Sequence, residues 1–157
     1  MQTDVLVIGA GAAGMYAAIG AARAGAQVVL VDRSLIGRGG ATVMAQMTVA
    51  AALGEEAPDH WEHHLADTLK AGRGLCEPAL SRLLCEDAPE CIREMDRWGV
   101  GWARNEKHIR QVQAPGHDRP RCVYVDFVNT GPAVSKTLRA QLNREAYQLV
   151  ICDEAVS

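Results

Sequence analysis

The chain predicts an α/β fold built on a parallel sheet, and three observations predict it. Val5–Ile8, VLVI, is four apolar residues in a row, the pattern of a parallel strand buried on both faces. Gly9, Gly11 and Gly14 follow at once in G-x-G-x-x-G spacing. A second apolar run, Val28–Val31, ends on Asp32, 18 residues after Gly14. Strand, glycine turn, helix, strand and acid thus fall in register within the 29 residues from Asp4 to Asp32.

Each part of that stretch has a physical task. Gly9 permits the tight turn, Gly11 lets the backbone approach a pyrophosphate, and Gly14 lets helix and strand pack closely. A helix from about Ala12 to Ala24 aims its free N–H groups and positive dipole end at the phosphates. Gly25 stops that helix. A carboxylate at Asp32 accepts from a ribose hydroxyl. Together these read as a dinucleotide site of the Rossmann type. A membrane span is the competing reading of this apolar stretch. Gly9 and Gly11 exclude it, because they cut the run after four strand residues, far short of the roughly 20 that a bilayer requires.

At 157 residues the chain has the length of one domain, and 48% hydrophobic content supports a core. A net charge of −3 with no basic block argues against nucleic-acid binding. Met1–Asp4 lacks the basic start of a signal peptide, and no transmembrane segment is expected. The cysteines, at 76, 85, 91, 122 and 152, show no C-x-x-C and read as thiols of a reducing compartment, the cytoplasm. Doubly wound nucleotide folds carry five or six strands, yet only three parallel-strand candidates are found, the last at Gln148–Cys152. The chain therefore reads as the front part of a larger protein.

Arg33–Ala45, RSLIGRGGATVMA, leaves the C-terminal end of the second strand, where nucleotides bind in such sheets. It is too rich in small residues for a regular strand, and Gly39-Gly40 permits close backbone approach to a ligand. Residues 46–53 read as helix or buried connection. Asp59–Ala71 reads as a helix capped by Asp59, with Trp61, Leu65 and Leu69 on one face and Gly72 at its end. Two further helices are expected, Pro78–Asp87 and Pro89–Trp98, each with proline in its first turn. His60 and His64, one turn apart, could share a cation, but no third ligand lies at sensible spacing, so no metal is assigned and a solvated helix face is the better account. Val100–Val112 reads as a hairpin or extended excursion, Ala114–Pro120 as a loop, and Cys122–Phe127 as a short strand. A helix from Thr130 or Gly131 to about Ala146 then leads into the third parallel strand. A right-handed crossover gives the partial sheet the order 3-2-1. The expected layout is a nucleotide-binding core, 1–46 and 131–157, interrupted by a largely helical insertion, 47–130.

About 115 residues separate the second and third strands. An NAD domain returns to the sheet much sooner, whereas a long excursion suits FAD, which needs protein along its whole length. At this point the sequence resembles the flavoprotein subunits of succinate dehydrogenase and fumarate reductase, together with L-aspartate oxidase. Gly40–Gln46, GATVMAQ, is similar to that family's S-H-T-V-A-A-Q segment. Further likenesses are Asp59–Trp61 with His64 and Asp67-Thr68, Pro89-Glu90 leading to Trp98–Val100 and Trp102–Arg104, and Gly131–Leu142.

The resemblance implies FAD, with the adenosine ribose on Asp32 and the pyrophosphate on Gly9, Gly11, Ala12, Ala13 and Gly14. By motif position it implies further cofactor contacts from Arg33, Ser34, Gly39, Gly40, Ala41, Thr42, Ala45 and Gln46, and adenine against the backbone of Val156. Ala41 stands where succinate dehydrogenases carry the histidine that bonds covalently to the flavin, so non-covalent FAD is expected, as in aspartate oxidase. Met47-Thr48 replaces the family's Gly-Gly, a departure near the flavin ring. His117, in Gly-His-Asp-Arg-Pro, is similar to the G-G-H-S segment of aspartate oxidases. The family's acid–base arginine and substrate-binding histidines belong to a capping domain and later segments, so no catalytic residue is assigned. A full-length form would transfer hydride between flavin and a dicarboxylate substrate, with an iron–sulfur electron-transfer subunit as partner and peripheral attachment to the inner face of the membrane through it. A non-catalytic nucleotide-binding module is the alternative reading.

Overall fold

The computed structural model describes residues 2–126, 128–144 and 149–152. They form two compact units, one from residues 1–46 and 128–157, the other from 47–127.

The first unit holds a three-stranded parallel sheet: β1 (Val5–Ile8), β2 (Val28–Val31) and β6 (Leu149–Cys152), in the order β1-β2-β6. Val5 pairs with Val28 and Ile8 with Val31, and Val28 in turn lies opposite Leu149. α1 (Ala12–Arg23) packs on β1 and β2 and against α5 (Thr130–Arg144). Its buried residues are Met15, Ala18, Ile19 and Ala22, an i, i+3, i+4, i+7 stripe. Burying Met15 and Ile19 contributes about 1.5–3 kcal/mol each. α5 answers with Val134, Leu138 and Leu142, spaced i, i+4, i+8 along one face.

The two strands that flank the glycine turn differ. β2 is central, and all four of its residues are buried. β1 was expected to be buried on both faces. Instead it alternates, with Leu6 at 55% and Ile8 at 75% exposed, because it is an edge strand among the described residues. Inside the glycine-rich stretch 33–45, Gly40–Met44 forms a one-turn helix, α2, which packs on α5.

The second unit pairs β3 (Val49–Ala50), β5 (Cys122–Val123) and β4 (Gln111–Val112) as a small antiparallel sheet in the order β3-β5-β4. Beside it lie α3 (Trp61–Gly72) and α4 (Pro78–Arg97), packed against each other. Two helices were expected where α4 runs unbroken for 20 residues with Pro89 inside it. The apolar face decides this: Cys85, Ile92 and Met95 are buried on one continuous stripe. Their burial outweighs the roughly 3 kcal/mol that an interior proline costs a helix. The Glu77 side chain caps α4 by accepting from the Leu80 N–H at 2.6 Å, and Pro78 fills the first turn.

α3 begins at Trp61, with His60 rather than Asp59 at the cap position and no side-chain cap. Asp59 is taken by a stronger partner. Arg121, with its side chain 0% exposed, donates to both Asp59 carboxylate oxygens at 3.0 and 3.2 Å, to Asp67 at 2.9 Å and to Asp118 at 2.7 Å. His64 is buried too, at 3% exposure, which overturns the solvated face expected for it. Among the described residues no helix is long and apolar enough to cross a membrane.

Candidate functional site

The site is built where β1 and β2 end. Gly9 leaves β1 at φ +100°, a left-handed conformation that only glycine adopts freely, and donates to the Val31 carbonyl at 2.8 Å. Gly14, in the first turn of α1, sits directly on that turn: a Cβ there would overlap the Gly9 carbonyl oxygen. The glycine spacing therefore brings the helix start against the strand end, with Gly11 as the N-cap residue supplying no side chain to the free N–H groups. α1 has no acidic residue in its first turn, so its positive end is uncompensated by charge from within the helix.

Asp32 closes the other side. Its Oδ2 accepts from the Ala10 N–H at 2.5 Å, and its Oδ1 accepts from the Ser34 N–H and hydroxyl at 2.9 Å each. The Ala10 N–H, then the Ser34 donors and the Arg33 charge, hold the Asp32 carboxyl below the usual carboxylate range despite partial burial. An ionised carboxylate offers about four lone-pair sites, and these three donors leave room for a ribose hydroxyl.

Gly9, Gly11, Asp32, Arg33, Ser34, Gly39 and Gly40, with Ile8 and Val31, line one cleft of about 270 Å³. A Cβ at Gly39 would run into the Ser34 hydroxyl, and Gly40 has φ +78°, so both glycines are needed for the wall they form. Ala12 donates its N–H to the Thr42 hydroxyl at 2.9 Å. Ala13 lies on the exposed side of the first turn of α1. Ala41 and Thr42 lie on α2 and Ala45 and Gln46 just after it; none of the four lines the cleft. Val156 lies outside the described residues.

Three contributors, all on α5, carry no local signal in the sequence. The Ser135 hydroxyl, on α5 and 1% exposed, donates to the Gly37 carbonyl at 2.7 Å, while Gly37 donates to the Ala10 carbonyl at 3.2 Å. Gly131 donates to the Ala45 carbonyl at 2.7 Å, and Thr130 to the Gln46 carbonyl at 3.4 Å. All three contacts fix the loop from positions about 90 residues away, beyond the reach of pattern reading.

His117 belongs to the second unit. With Asp67, Lys70, Ala71, Arg73, Gly116 and Asp118 it lines a cleft of about 740 Å³. Its ring packs on that of His64 with centroids 5.8 Å apart, and the Nδ1 atoms of both are buried without a partner. Burial first, then the Arg121 charge, pushes both imidazoles below the ordinary histidine value. Asp118 is held at about 2, chiefly by its hydrogen bonds from Arg119. Among the described residues no three His, Cys, Asp or Glu side chains come together as a metal site.

Known proteins share this architecture. L-aspartate oxidase of Streptomyces coelicolor is 37% identical over 139 residues, 88% of this chain and 23% of that protein. The succinate dehydrogenase flavoprotein subunit of Rickettsia bellii is 36% identical over 104 residues, 66% of this chain and 17% of that subunit. Among solved structures, the Mycobacterium smegmatis Sdh1 complex superimposes with a TM-score of 0.84 at 32% identity, covering 95% of this chain and 27% of that one. E. coli quinol fumarate reductase FrdA gives 0.87 at 27% identity, covering 96% and 26%. The chain thus spans about a quarter of the length of these relatives. A family model described as an FAD binding domain matches residues 4–155, nearly the whole chain. The glycine turn, the open helix end and the Asp32 carboxylate fit the phosphates and ribose of that cofactor. The chain belongs to the FAD binding domain family, in the form found in the flavoproteins of succinate dehydrogenase, fumarate reductase and L-aspartate oxidase.

Proposed function

We propose that this chain is the FAD-binding portion of a flavoprotein oxidoreductase that holds its cofactor without a covalent bond. In the full-length protein it would serve hydride transfer to or from a dicarboxylate. The cleft at the end of β2 carries the reading. There an ionised Asp32 faces the glycine turn and the start of α1, whose N-cap residue Gly11 has no side chain, all within one unit. Asp32 would accept from the adenosine ribose, and the N–H groups of Gly11 and Ala13 with the α1 dipole would receive the pyrophosphate, Ala12 bordering it while its N–H stays on Thr42. Arg33, Ser34, Gly39 and Gly40 would border the nucleotide. Ala41, Thr42, Ala45 and Gln46 would continue along the flavin half, and Val156 would meet the adenine.

FAD, when bound, supplies the redox centre; the chain supplies orientation and charge. Ala41 offers no nucleophile, which supports non-covalent binding. No residue of this chain is assigned to proton transfer or substrate binding. The name flavoprotein subunit among the relatives supports a partner subunit; in this reading that partner is an iron–sulfur protein, the chain itself lies in the cytoplasm, and it reaches the inner membrane face through that partner. The nucleotide-binding core would comprise 1–46 and 131–157, with 47–130 as the insertion and the parallel order β6-β2-β1 as the frame of the cofactor cleft.

Purified protein tests this directly. It should be yellow, release FAD into the supernatant on heating, and show no fluorescent band on a denaturing gel. A colourless protein that takes up no FAD would sink the reading, and a fluorescent band would overturn the non-covalent part.

A further inference from the structure

The loop Gly39–Gln46 makes its hydrogen bonds to two helix starts within its own unit. In the middle of α2 (Gly40–Met44) the Thr42 hydroxyl accepts from the Ala12 N–H, the start of α1, at 2.9 Å. Past its C-terminal end, the Ala45 carbonyl accepts from the Gly131 N–H at 2.7 Å and the Gln46 carbonyl from the Thr130 N–H at 3.4 Å, the start of α5. Both pairings satisfy first N–H groups of a helix, which have no intrahelical acceptor, and the second also supplies donors to carbonyls at the end of α2, which have no intrahelical donor. The dipoles agree as well, since the carbonyl end of α2 meets the positive end of α5.

This second pairing depends on the absence of a side chain. A Cβ at Gly131 would overlap the carbonyl oxygens of both Thr42 and Ala45 and lie 3.1 Å from the Ala45 Cβ. These oxygens are backbone, so relief requires α2 to move rather than a side chain to turn. Gly131 has no positive φ to explain it. Its reason is the close approach of α2, and the same movement would pull the Thr42 hydroxyl off Ala12.

We propose that Gly131 is a positioning residue for the cofactor: its missing side chain lets α5 clamp α2, and through Thr42 the clamp sets Gly39–Gln46 against the start of α1. The inference rests on the FAD reading above, but its effect on the loop exists without FAD. Thr42 is the coupling group, because its hydroxyl joins α2 to the first N–H of α1.

The experiment compares the full chain with Gly131→Ala, Thr42→Val and Thr42→Ser, using amide hydrogen exchange without ligand and titrations with FAD and with ADP. In Gly131→Ala, exchange should accelerate at residues 42–46 and at Ala12. FAD should bind about tenfold more weakly or worse, as expected for loop atoms displaced by about an ångström. ADP, which reads Asp32 and the glycine turn, should be affected far less. Thr42→Val should reproduce the Ala12 exchange and the FAD loss, and Thr42→Ser should restore both, which keeps the test open if Gly131→Ala does not fold. Leu138→Ala, in the core of the same helix, separates positioning from general weakening: it should lower the melting temperature and leave FAD affinity intact. Wild-type protein that binds FAD while Gly131→Ala shows unchanged exchange and affinity would overturn this inference alone. A Leu138→Ala protein with an equal FAD loss would overturn it too. Wild-type protein that binds no FAD would instead overturn the reading under Proposed function.

Discussion

The nucleotide cleft of the first unit and the Arg121 cluster of the second are both polar, yet they are built on opposite principles. The cleft is lined largely by backbone: glycines, helix N–H groups and a single carboxylate that keeps an open lone-pair position. The cluster is made of side chains that consume one another. Arg121 spends its guanidinium on Asp59, Asp67 and Asp118, while Arg119 engages Asp118 from the other side. Open groups beside a cavity await a ligand; closed groups in a core hold a fold. Charge density alone would have pointed to the wrong one of the two.

The largest expected effect breaks the closed region. Arg121→Met removes the bidentate partner of Asp59, whose side chain is 0% exposed, leaving it Arg119 at 3.7 Å and the His60 N–H, and removes the cation from the Asp67 oxygen that also accepts from the Asp118 N–H. Stranding buried carboxylates in this way costs about 3–5 kcal/mol. Urea unfolding should show it as a lower midpoint at unchanged slope. A midpoint within experimental error of wild type would mean that the cluster is ornament.

A smaller loss is expected from Gly14→Ala, in the open region. The added methyl meets the Gly9 carbonyl oxygen, so α1 and the turn must separate. Overpacking of this kind costs about 1–3 kcal/mol. Unlike Arg121→Met, it should also abolish FAD retention on a column at temperatures where the protein remains folded. Equal FAD loss per unit of destabilisation in both variants would erase the contrast between the two regions.

The same contrast explains what the sequence revealed. Gly9, Gly11, Gly14 and Asp32 were legible because the turn they form is local: close approach and φ are written within six residues, and the acid follows at the next strand end. The Arg121 cluster was not, since Arg121 and Asp59 lie 62 positions apart and nothing near either announces the pairing. That hidden pairing misled the reading of Asp59 as a helix cap and of His64 as a solvated side chain. Pro89 misled in the same direction. Proline is a local signal for a helix boundary, and the buried Cys85, Ile92 and Met95 that override it act through packing. Gly131 falls between: its presence was visible, its reason was not, because that reason is the carbonyl of a residue in another element.

The smallest predicted effect separates the two regions by pH. His64 and His117 are depressed below the ordinary histidine value by burial and by the Arg121 charge, with Asp59, Asp67 and, for His117, Asp118 opposing the shift. Between the unfolded value near 6.5 and the lower folded values, the unfolded chain binds more protons than the folded one. Stability is therefore full above about pH 6.5 and falls as the pH drops below it. The carboxylates act in a separate window with their own sign check. Asp32 and Asp118 are depressed in the fold, Asp118 to about 2, so their contribution is present above the unfolded carboxylate value and is lost as pH falls through the folded values. Urea midpoints measured from pH 8 down to pH 5 should decline, and the decline should flatten in His64→Phe, which puts an uncharged ring against Arg121. Asp32→Asn should weaken FAD binding and lower the midpoint by a similar amount at every pH in this range, leaving the decline itself intact. A wild-type midpoint that stays level across that range would mean that the imidazoles charge without cost, and that the Arg121 cluster is less closed than its geometry says.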